Sequence, residues 1–183
     1  MRIRFMFCKF VVTASYAGLS PILPGTSGTM VALVISWTLS KFCPEVTSPM
    51  SWSLLILLTT IVGVWASNKA LEWNMSPVVD AVSHTAIVTG DQDHREPPKN
   101  DPSAIVIDEV AGYFISILGL ASTGFNNEAL LIGFFFFRLF DMTKLWPIYK
   151  LENLPRGYGI MADDILAGIF ANLATRLVLW CLA

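Results

Sequence analysis

Two pairs of adjacent carboxylates lie in strongly apolar stretches of the sequence. Asp108 and Glu109 follow an Ile-Val-Ile run, and Asp163 and Asp164 precede the last long apolar stretch. Burying adjacent carboxylates is costly because desolvation and mutual repulsion both disfavour their charged forms, and a divalent cation offsets that cost. Oxygen ligands suit Mg²⁺, whose other positions are filled by water and substrate phosphate. We therefore predict that these four carboxylates bind Mg²⁺ and take part in catalysis.

A mixed basic and acidic stripe interrupts a third apolar stretch. Arg138, Asp141 and Lys144 are spaced by three, which places them along one side of a helix. In so apolar a segment the stripe is expected to face the protein interior or a wet cavity. One alternative is a self-satisfied ladder of ion pairs. We favour a functional site in which Arg138 and Lys144 bind phosphate oxygens and Asp141 is catalytic, as metal-assisted phosphoester hydrolysis requires.

The segment 18–29, GLSPILPGTSGT, is rich in glycine and proline and directly precedes an apolar stretch. Such residues favour a tight turn, and the free N–H groups of a helix that follows it form an anion site. The P-loop lysine is missing, so a nucleotide-binding loop is excluded. The alternative is a turn that only caps the helix. We predict that the substrate phosphate contacts Thr26, Ser27, Gly28 and Thr29.

Three further residues are predicted to support the site. Asp101 is expected to cap the helix that carries the first carboxylate pair about two turns further on. Gly112 lies one turn after Asp108 and leaves room for close approach by another helix or a ligand. Asn172 shares a helical face with Asp164, so we predict that it orients the site.

Apolar helices must position these residues. Apolar residues make up 54% of the 183 residues and charged residues only 14%, against roughly 25% charged in soluble proteins, so lipid is the simpler solvent for the surface. Sustained period-two alternation is absent. We expect one all-α domain over residues 1–183, a compact, membrane-embedded helical bundle of about five main helices, three or four of which enter or cross the bilayer. The expected helices are 29–42, 50–70, 103–121, 129–148 and 165–183.

The segment 76–100 is the most polar part of the sequence. It contains Asp91, Asp93 and His94, a combination that suggests a metal site, but the ligand spacing is irregular. We interpret the segment as a solvated loop or insert between two apolar helices. The net charge of −2 argues against nucleic-acid binding, since no basic face is available to neutralise phosphates.

The N-terminal region carries Arg2, Arg4 and Lys9 before the short apolar stretch 10–16. The stretch runs into a glycine- and proline-rich segment without a clean cleavage site, so we interpret it as retained. Its positive charge favours a cytoplasmic N-terminus. The three cysteines are scattered, which is compatible with a reducing compartment.

Four ordered blocks together resemble the phosphatidylglycerophosphatase A family: GLSPILPGTSGT, DPSAIVIDEVAGYF, FRLFDMTKLWPI and GYGIMADDILAGIFAN. The resemblance implies a Mg²⁺-dependent phosphatase of the bacterial inner membrane, multi-pass, with its active site toward the cytoplasm. Its substrate would be phosphatidylglycerophosphate, and its products phosphatidylglycerol and phosphate, a step of phospholipid biosynthesis. Two departures are a longer polar segment before Asp101 and Ser27 at a position where methionine is expected.

Two other classes of function compete with this interpretation. A membrane phosphatidyl-group transferase also uses paired carboxylates, but its D-G-x-x-A-R pattern is absent from the sequence. A small channel or scaffold would leave the charges in the apolar helices to be explained by ion pairing alone, at a high cost of burial. The phosphatase is the better-supported hypothesis.

Overall fold

Long apolar segments without strand periodicity fold into helices, and the computed structural model describes residues 2–20, 23–72, 105–120, 126–151 and 154–182. Within these ranges the chain is all-helical, as predicted, and contains seven α-helices and two short 3₁₀ turns. The polar segment 76–100 and Asp101 lie outside the described residues. The helices are α1 (Arg2–Val12), α2 (Pro24–Phe42), α3 (Pro49–Glu72), α4 (Ile107–Ser116), α5 (Asn127–Thr143), α6 (Ile148–Leu151) and α7 (Gly157–Leu182).

The short helix α4 lies at the centre of the bundle. It contacts α2, α3, α5 and α7, and most of its side chains are buried, including the large rings of Tyr113 and Phe114. The indole nitrogen of Trp52 in α3 donates to the carbonyl of Phe114 at 2.9 Å. The hydroxyl of Tyr113 donates to the carbonyl of Leu130 in α5 at 3.0 Å. Buried polar groups of aromatic side chains thus fix α4 against its neighbours.

Helices α4 and α7 run in the same direction, and two glycines allow them to pack closely. A Cβ atom at Gly168 would collide with the backbone carbonyl of Gly112, and one at Gly112 would come within 2.7 Å of the Asp164 carbonyl. The close approach predicted at Gly112 is therefore confirmed, and the partner is a helix. Because Asp108 and Asp164 each precede one of these glycines by one helical turn, the crossing brings both carboxylate pairs to one end of the bundle.

Helices α3 and α7 are each long and apolar enough to cross a membrane, judged by length and composition. Their outer faces expose large apolar side chains: Leu54, Leu57, Leu58 and Ile61 in α3, and Leu173, Leu177 and Trp180 in α7. The two helices include most of the predicted stretches 50–70 and 165–183. The crossing of the bilayer by three or four helices stays a prediction.

Several helix ends differ from those predicted. Helix α4 begins at Ile107, so Asp108 and Glu109 lie in its first turn and not two turns in. Helix α7 begins at Gly157, well before the carboxylates that were expected near its start, because the N–H of Gly157 donates to the Asn68 side chain of α3 at 3.1 Å. Helix α5 ends at Thr143, five residues before the predicted end at 148.

Candidate functional site

A cavity of about 250 Å³ lies where the first turns of α2 and α4 meet the end of α5 and the second and third turns of α7. All five predicted catalytic carboxylates and both predicted phosphate-binding cations line it. The remaining lining residues come mostly from the start of α2. The full lining is Leu23, Pro24, Gly25, Thr26, Ile105, Asp108, Glu109, Arg138, Asp141, Lys144, Asp163 and Asp164.

The guanidinium group of Arg138 joins three helices. Its Nη1 donates to Asp141 Oδ2 at 2.6 Å within α5, and to Glu109 Oε1 of α4 at 3.5 Å. The same nitrogen donates to Thr29 Oγ1 of α2 at 3.5 Å. The short bond to Asp141 anchors the guanidinium group, and the two longer contacts orient it toward the cavity from neighbouring helices.

The second cation, Lys144, reaches the cavity from the turn after α5. Its backbone lies in the left-handed region, with φ 41° and ψ 52°, and its N–H donates to the Phe140 carbonyl at 3.0 Å. Non-glycine residues adopt this conformation rarely, so a specific contact is expected to stabilise it. The Nζ atom donates to Asp163 Oδ2 of α7 at 3.0 Å, and the lysine side chain remains 32% exposed.

The stripe of Arg138, Asp141 and Lys144 thus faces a cavity, as predicted. The self-satisfied ladder that was its alternative accounts only for the Arg138–Asp141 pair. Both Arg138 and Lys144 also contact acidic residues on other helices, Glu109 and Asp163. The stripe therefore connects the two carboxylate pairs through Glu109 and Asp163.

Asp108 and Asp164 are the remaining members of the two pairs, and both are buried. Oδ1 of Asp108 accepts from the N–H of Glu109 at 3.0 Å. Oδ2 of Asp164 is buried and has no hydrogen-bond partner among the described residues. A buried carboxylate oxygen without a donor is costly in a folded protein, which makes Asp164 a strong candidate for a functional group.

The predicted phosphate-binding segment is only partly placed at the cavity. Helix α2 already begins at Pro24, because proline is favourable at the first helical position. Thr26 lines the cavity, whereas the hydroxyl of Ser27 donates back to the Leu23 carbonyl at 3.1 Å. Gly28 and Thr29 lie on the buried face of α2, where Thr29 contacts Arg138. Leu23 occupies the N-cap position, and no side chain caps the helix.

Asn172 does not contact the cavity. Its amide nitrogen donates to the carbonyls of Ile115, Ser116 and Leu118 at 3.1, 2.9 and 2.9 Å. These carbonyls lie at and just beyond the end of α4, where backbone acceptors lack helical partners. The prediction that Asn172 orients the site is corrected accordingly: Asn172 caps the far end of α4.

Gly25 is a site residue that the sequence interpretation missed. It lines the cavity in the first turn of α2, where backbone N–H groups have no acceptor within the helix. A Cβ atom there would collide with the Glu109 carboxylate and lie 3.2 Å from Arg138 Nη1. The signal available in the sequence was the spacing of three between Gly25 and Gly28, which places both glycines on one face of a helix.

The carboxylates that the structure describes at the cavity do not form a closed metal cage by themselves. Among the described residues, no group of three or more His, Cys, Asp or Glu side chains is close enough to hold a metal ion. An all-protein cage is therefore not formed by this part of the chain. Mg²⁺ is usually held by one or two carboxylates, with water and phosphate at its other positions. The buried, unpartnered Asp164 Oδ2 at a carboxylate-lined cavity fits that mode.

Comparisons with known proteins point to lipid phosphatases but name two different lipids. A family model described as phosphatidylglycerophosphatase A matches residues 81–179. A phosphatidylglycerophosphatase A of Escherichia coli is 33% identical over 156 residues, which cover 85% of this chain and 73% of the relative. A putative phosphatidylinositol-3-phosphatase of Bacteroides thetaiotaomicron is 28% identical over 165 residues, covering 90% of this chain and 88% of the relative. No solved structure matches the chain.

Proposed function

This chain belongs to the phosphatidylglycerophosphatase A family and is a phosphatase, and on that premise we propose a Mg²⁺-dependent reaction on phosphatidylglycerophosphate. The terminal phosphate ester is cleaved, a water molecule is consumed, and phosphatidylglycerol and inorganic phosphate are formed. The product is a membrane phospholipid, so the reaction would serve phospholipid biosynthesis. The non-catalytic channel or scaffold considered for the sequence is set aside, because the family is one of enzymes.

The observation that carries the proposal is the pair of cations at the cavity. Arg138 approaches it from α5 and Lys144 from the turn that follows α5, and carboxylates hold them at 2.6 and 3.0 Å, respectively. A terminal phosphate carries close to two negative charges and presents several acceptor oxygens. Arg138 and Lys144 would bind those oxygens and stabilise the charge that develops on them during cleavage. Gly25 and Thr26, in the first turn of α2, also line the cavity, and the N–H groups of a first turn lack helical acceptors and can bind an anion.

Asp108 and Asp164 are the residues that we assign to Mg²⁺. Both are buried at the cavity, and Asp164 Oδ2 has no hydrogen-bond partner among the described residues. When bound, the ion would polarise the phosphoryl group and lower the pKa of a bound water. Attack by water and attack by a carboxylate nucleophile such as Asp141 are both compatible with this arrangement.

We place the enzyme in the bacterial inner membrane, as a multi-pass protein whose site faces the cytoplasm. The exposed apolar faces of α3 and α7 support embedding in lipid, since such surfaces are costly in water. Arg2, Arg4 and Lys9 support a cytoplasmic N-terminus under the positive-inside tendency. A cavity near the membrane surface would receive the headgroup while the acyl chains stay in the bilayer.

The test is phosphate release by the purified full chain in mixed micelles. Phosphatidylglycerophosphate and phosphatidylinositol 3-phosphate are supplied separately, because the Bacteroides relative is named for the second lipid. We expect release from the first lipid at a higher kcat/KM, abolished by EDTA and restored by Mg²⁺. Faster release from phosphatidylinositol 3-phosphate would overturn the substrate assignment, and full activity in EDTA would overturn the metal dependence.

A further inference from the structure

The carboxylate of Glu109 lies against the first turn of α2, opposite two glycines. A Cβ atom at Gly25 would collide with Glu109 Oε1, and one at Gly28 would come within 2.5 Å of Glu109 Oε2. The two glycines are three residues apart and therefore share one helical face. The absence of side chains at these two positions creates a notch, defined by Gly25 and Gly28, that accommodates the Glu109 carboxylate.

The notch also brings Arg138 against α2. A Cβ atom at Gly25 would lie 3.2 Å from Arg138 Nη1, the nitrogen that Glu109 contacts at 3.5 Å. Thr29, one residue after the notch, adds its hydroxyl to the same nitrogen at 3.5 Å. The position of α2 therefore depends on the same carboxylate and guanidinium group that lie at the cavity.

We propose that Glu109 is a positioning residue, seated in the notch, that holds Arg138 and the start of α2 in register for phosphate binding. This inference rests on the proposed function only for the identity of the phosphate ligand. In this role Glu109 acts through Arg138 and does not bind the metal. Pre-organisation of the cation and the α2 N–H groups lowers the cost of ordering them when phosphate binds.

The first experiment changes the notch and leaves every charge in place. Gly25→Ala forces Glu109 out of the notch, and Gly28→Ala does so while also crowding Val106, whose Cβ would lie 2.7 Å from the new atom. Gly133→Ala is the control. A Cβ atom at Gly133 would be crowded too, at 2.9 Å from Ile117 Cγ2, but its neighbours Ser116 and Ile117 lie at the end of α4 and outside the cavity lining. We expect KM for the lipid and the inhibition constant of inorganic phosphate to rise about tenfold in the notch variants, the size of a weakened charge-assisted contact.

The kinetic pattern separates positioning from general destabilisation. A structural defect would lower the amount of folded enzyme and hence the apparent kcat, as expected for Gly133→Ala. The notch variants should instead alter KM and phosphate affinity in the fraction that is folded. Wild-type KM and phosphate affinity in folded Gly25→Ala would refute the proposal.

A second experiment separates positioning from metal binding. Glu109→Gln preserves the side-chain length, and we expect its affinity for Mn²⁺, measured by titration, to stay within about twofold of wild type. Its phosphate affinity should fall, because the neutral amide holds Arg138 less strongly. Loss of Mn²⁺ affinity equal to that of Asp164→Asn would identify Glu109 as a ligand and overturn the proposal.

These binding readouts do not depend on which lipid is hydrolysed. If the wild type fails to release phosphate from phosphatidylglycerophosphate, the proposed function fails. Inorganic phosphate and Mn²⁺ titrations of the notch variants still decide the role of Glu109. A combined Gly25→Ala, Glu109→Asp variant, with a shorter carboxylate, should recover part of the phosphate affinity lost in Gly25→Ala; no recovery would contradict the steric basis of the notch.

Discussion

The two ends of the α4–α7 pair both carry polar groups, but the hydrogen bonding of those groups differs between the ends. At the site end, the carboxylates of both helices crowd around a cavity, and a buried oxygen of Asp164 has no donor among the described residues. At the opposite end, Asn172 donates to three carbonyls, and Arg176 donates to Leu118 O and to Asn172 Oδ1, each at 2.8 Å. We call these residues the capped end.

The difference indicates how to distinguish structural from functional polar groups in a helical bundle. A short helix such as α4 leaves carbonyl groups without helical partners at its end. In an apolar environment those acceptors need hydrogen bonds from other donors. At the capped end, the side chains of Asn172 and Arg176 donate to these carbonyls. The site end keeps excess negative charge at a cavity, which costs stability and is retained where a ligand uses it.

The largest effect is expected from Asp164→Asn, which changes a buried carboxylate with an oxygen that has no donor among the described residues. Activity should fall on the order of 10³-fold, because a carboxylate proposed to hold Mg²⁺ is lost. Stability should stay the same or rise, since a buried charge among like charges is removed. Phosphate release and thermal unfolding in detergent check both parts. An active variant would contradict the functional role of Asp164. A variant that unfolds at much lower temperature would show that Asp164 stabilises the fold, as the residues of the capped end do.

The two arginines offer a matched comparison between the ends. Arg138→Gln should lower kcat/KM by about 10²-fold in folded protein, as loss of one charge-stabilising donor typically does. Arg176→Gln should leave kcat/KM nearly unchanged and reduce stability, because Arg176 donates only at the capped end. Equal losses of activity in the two variants would show that the division into ends is wrong.

The capped end is tested directly by Asn172→Leu. Three carbonyls lose their common donor and Arg176 loses an acceptor. The free energy of unfolding should fall by about 1–3 kcal/mol, since the Ser116 carbonyl loses its described donor. The carbonyls of Ile115 and Leu118 keep the N–H of Leu118 and the Arg176 guanidinium group as donors. Phosphatase activity per folded molecule should change by only a few-fold. A specific loss of activity at unchanged stability would restore the original prediction that Asn172 orients the site.

The smallest effect is expected at the exposed edge of the site. Lys144→Met removes the partner of Asp163 and one proposed phosphate contact, but the lysine is partly exposed and therefore screened. A rise in KM of about tenfold or less is expected. Lys150→Met is the control, because Lys150 lies over the Trp146 ring at 5.6 Å, away from the cavity lining. Similar KM values in the two variants would argue against a phosphate contact by Lys144.

The sequence identified the charged part of the site well, and the physical reason is the cost of burial. In a chain with so few charges, two carboxylate pairs and a basic stripe inside apolar stretches stand out. The structure places all of them at one cavity, although their catalytic and ligand roles stay predictions. Uncharged residues were less predictable. Thr26 lines the cavity while Ser27 does not, because helix α2 begins at Pro24 and its rotation selects which side chains face inward.

Some assignments depended on contacts that no local pattern contains. Asn172 shares a face with Asp164, but its distance along α7 places it beside the end of α4. The sequence places Gly25 in a predicted turn, whereas the structure places it in helix α2 against the Glu109 carboxylate. In both cases the relevant partner lies on another helix, more than fifty residues away in the chain.

The sequence by itself determined an all-helical chain, its family and the residues with chemistry to offer, since composition, ordered motifs and charge in apolar segments are local properties. Tertiary structure decided which carboxylate holds which cation, where each helix starts, and which polar residues cap a helix and which line the cavity. Those outcomes depend on the close crossing of α4 and α7 at Gly112 and Gly168, because helix packing sets the distances between residues that are far apart in sequence.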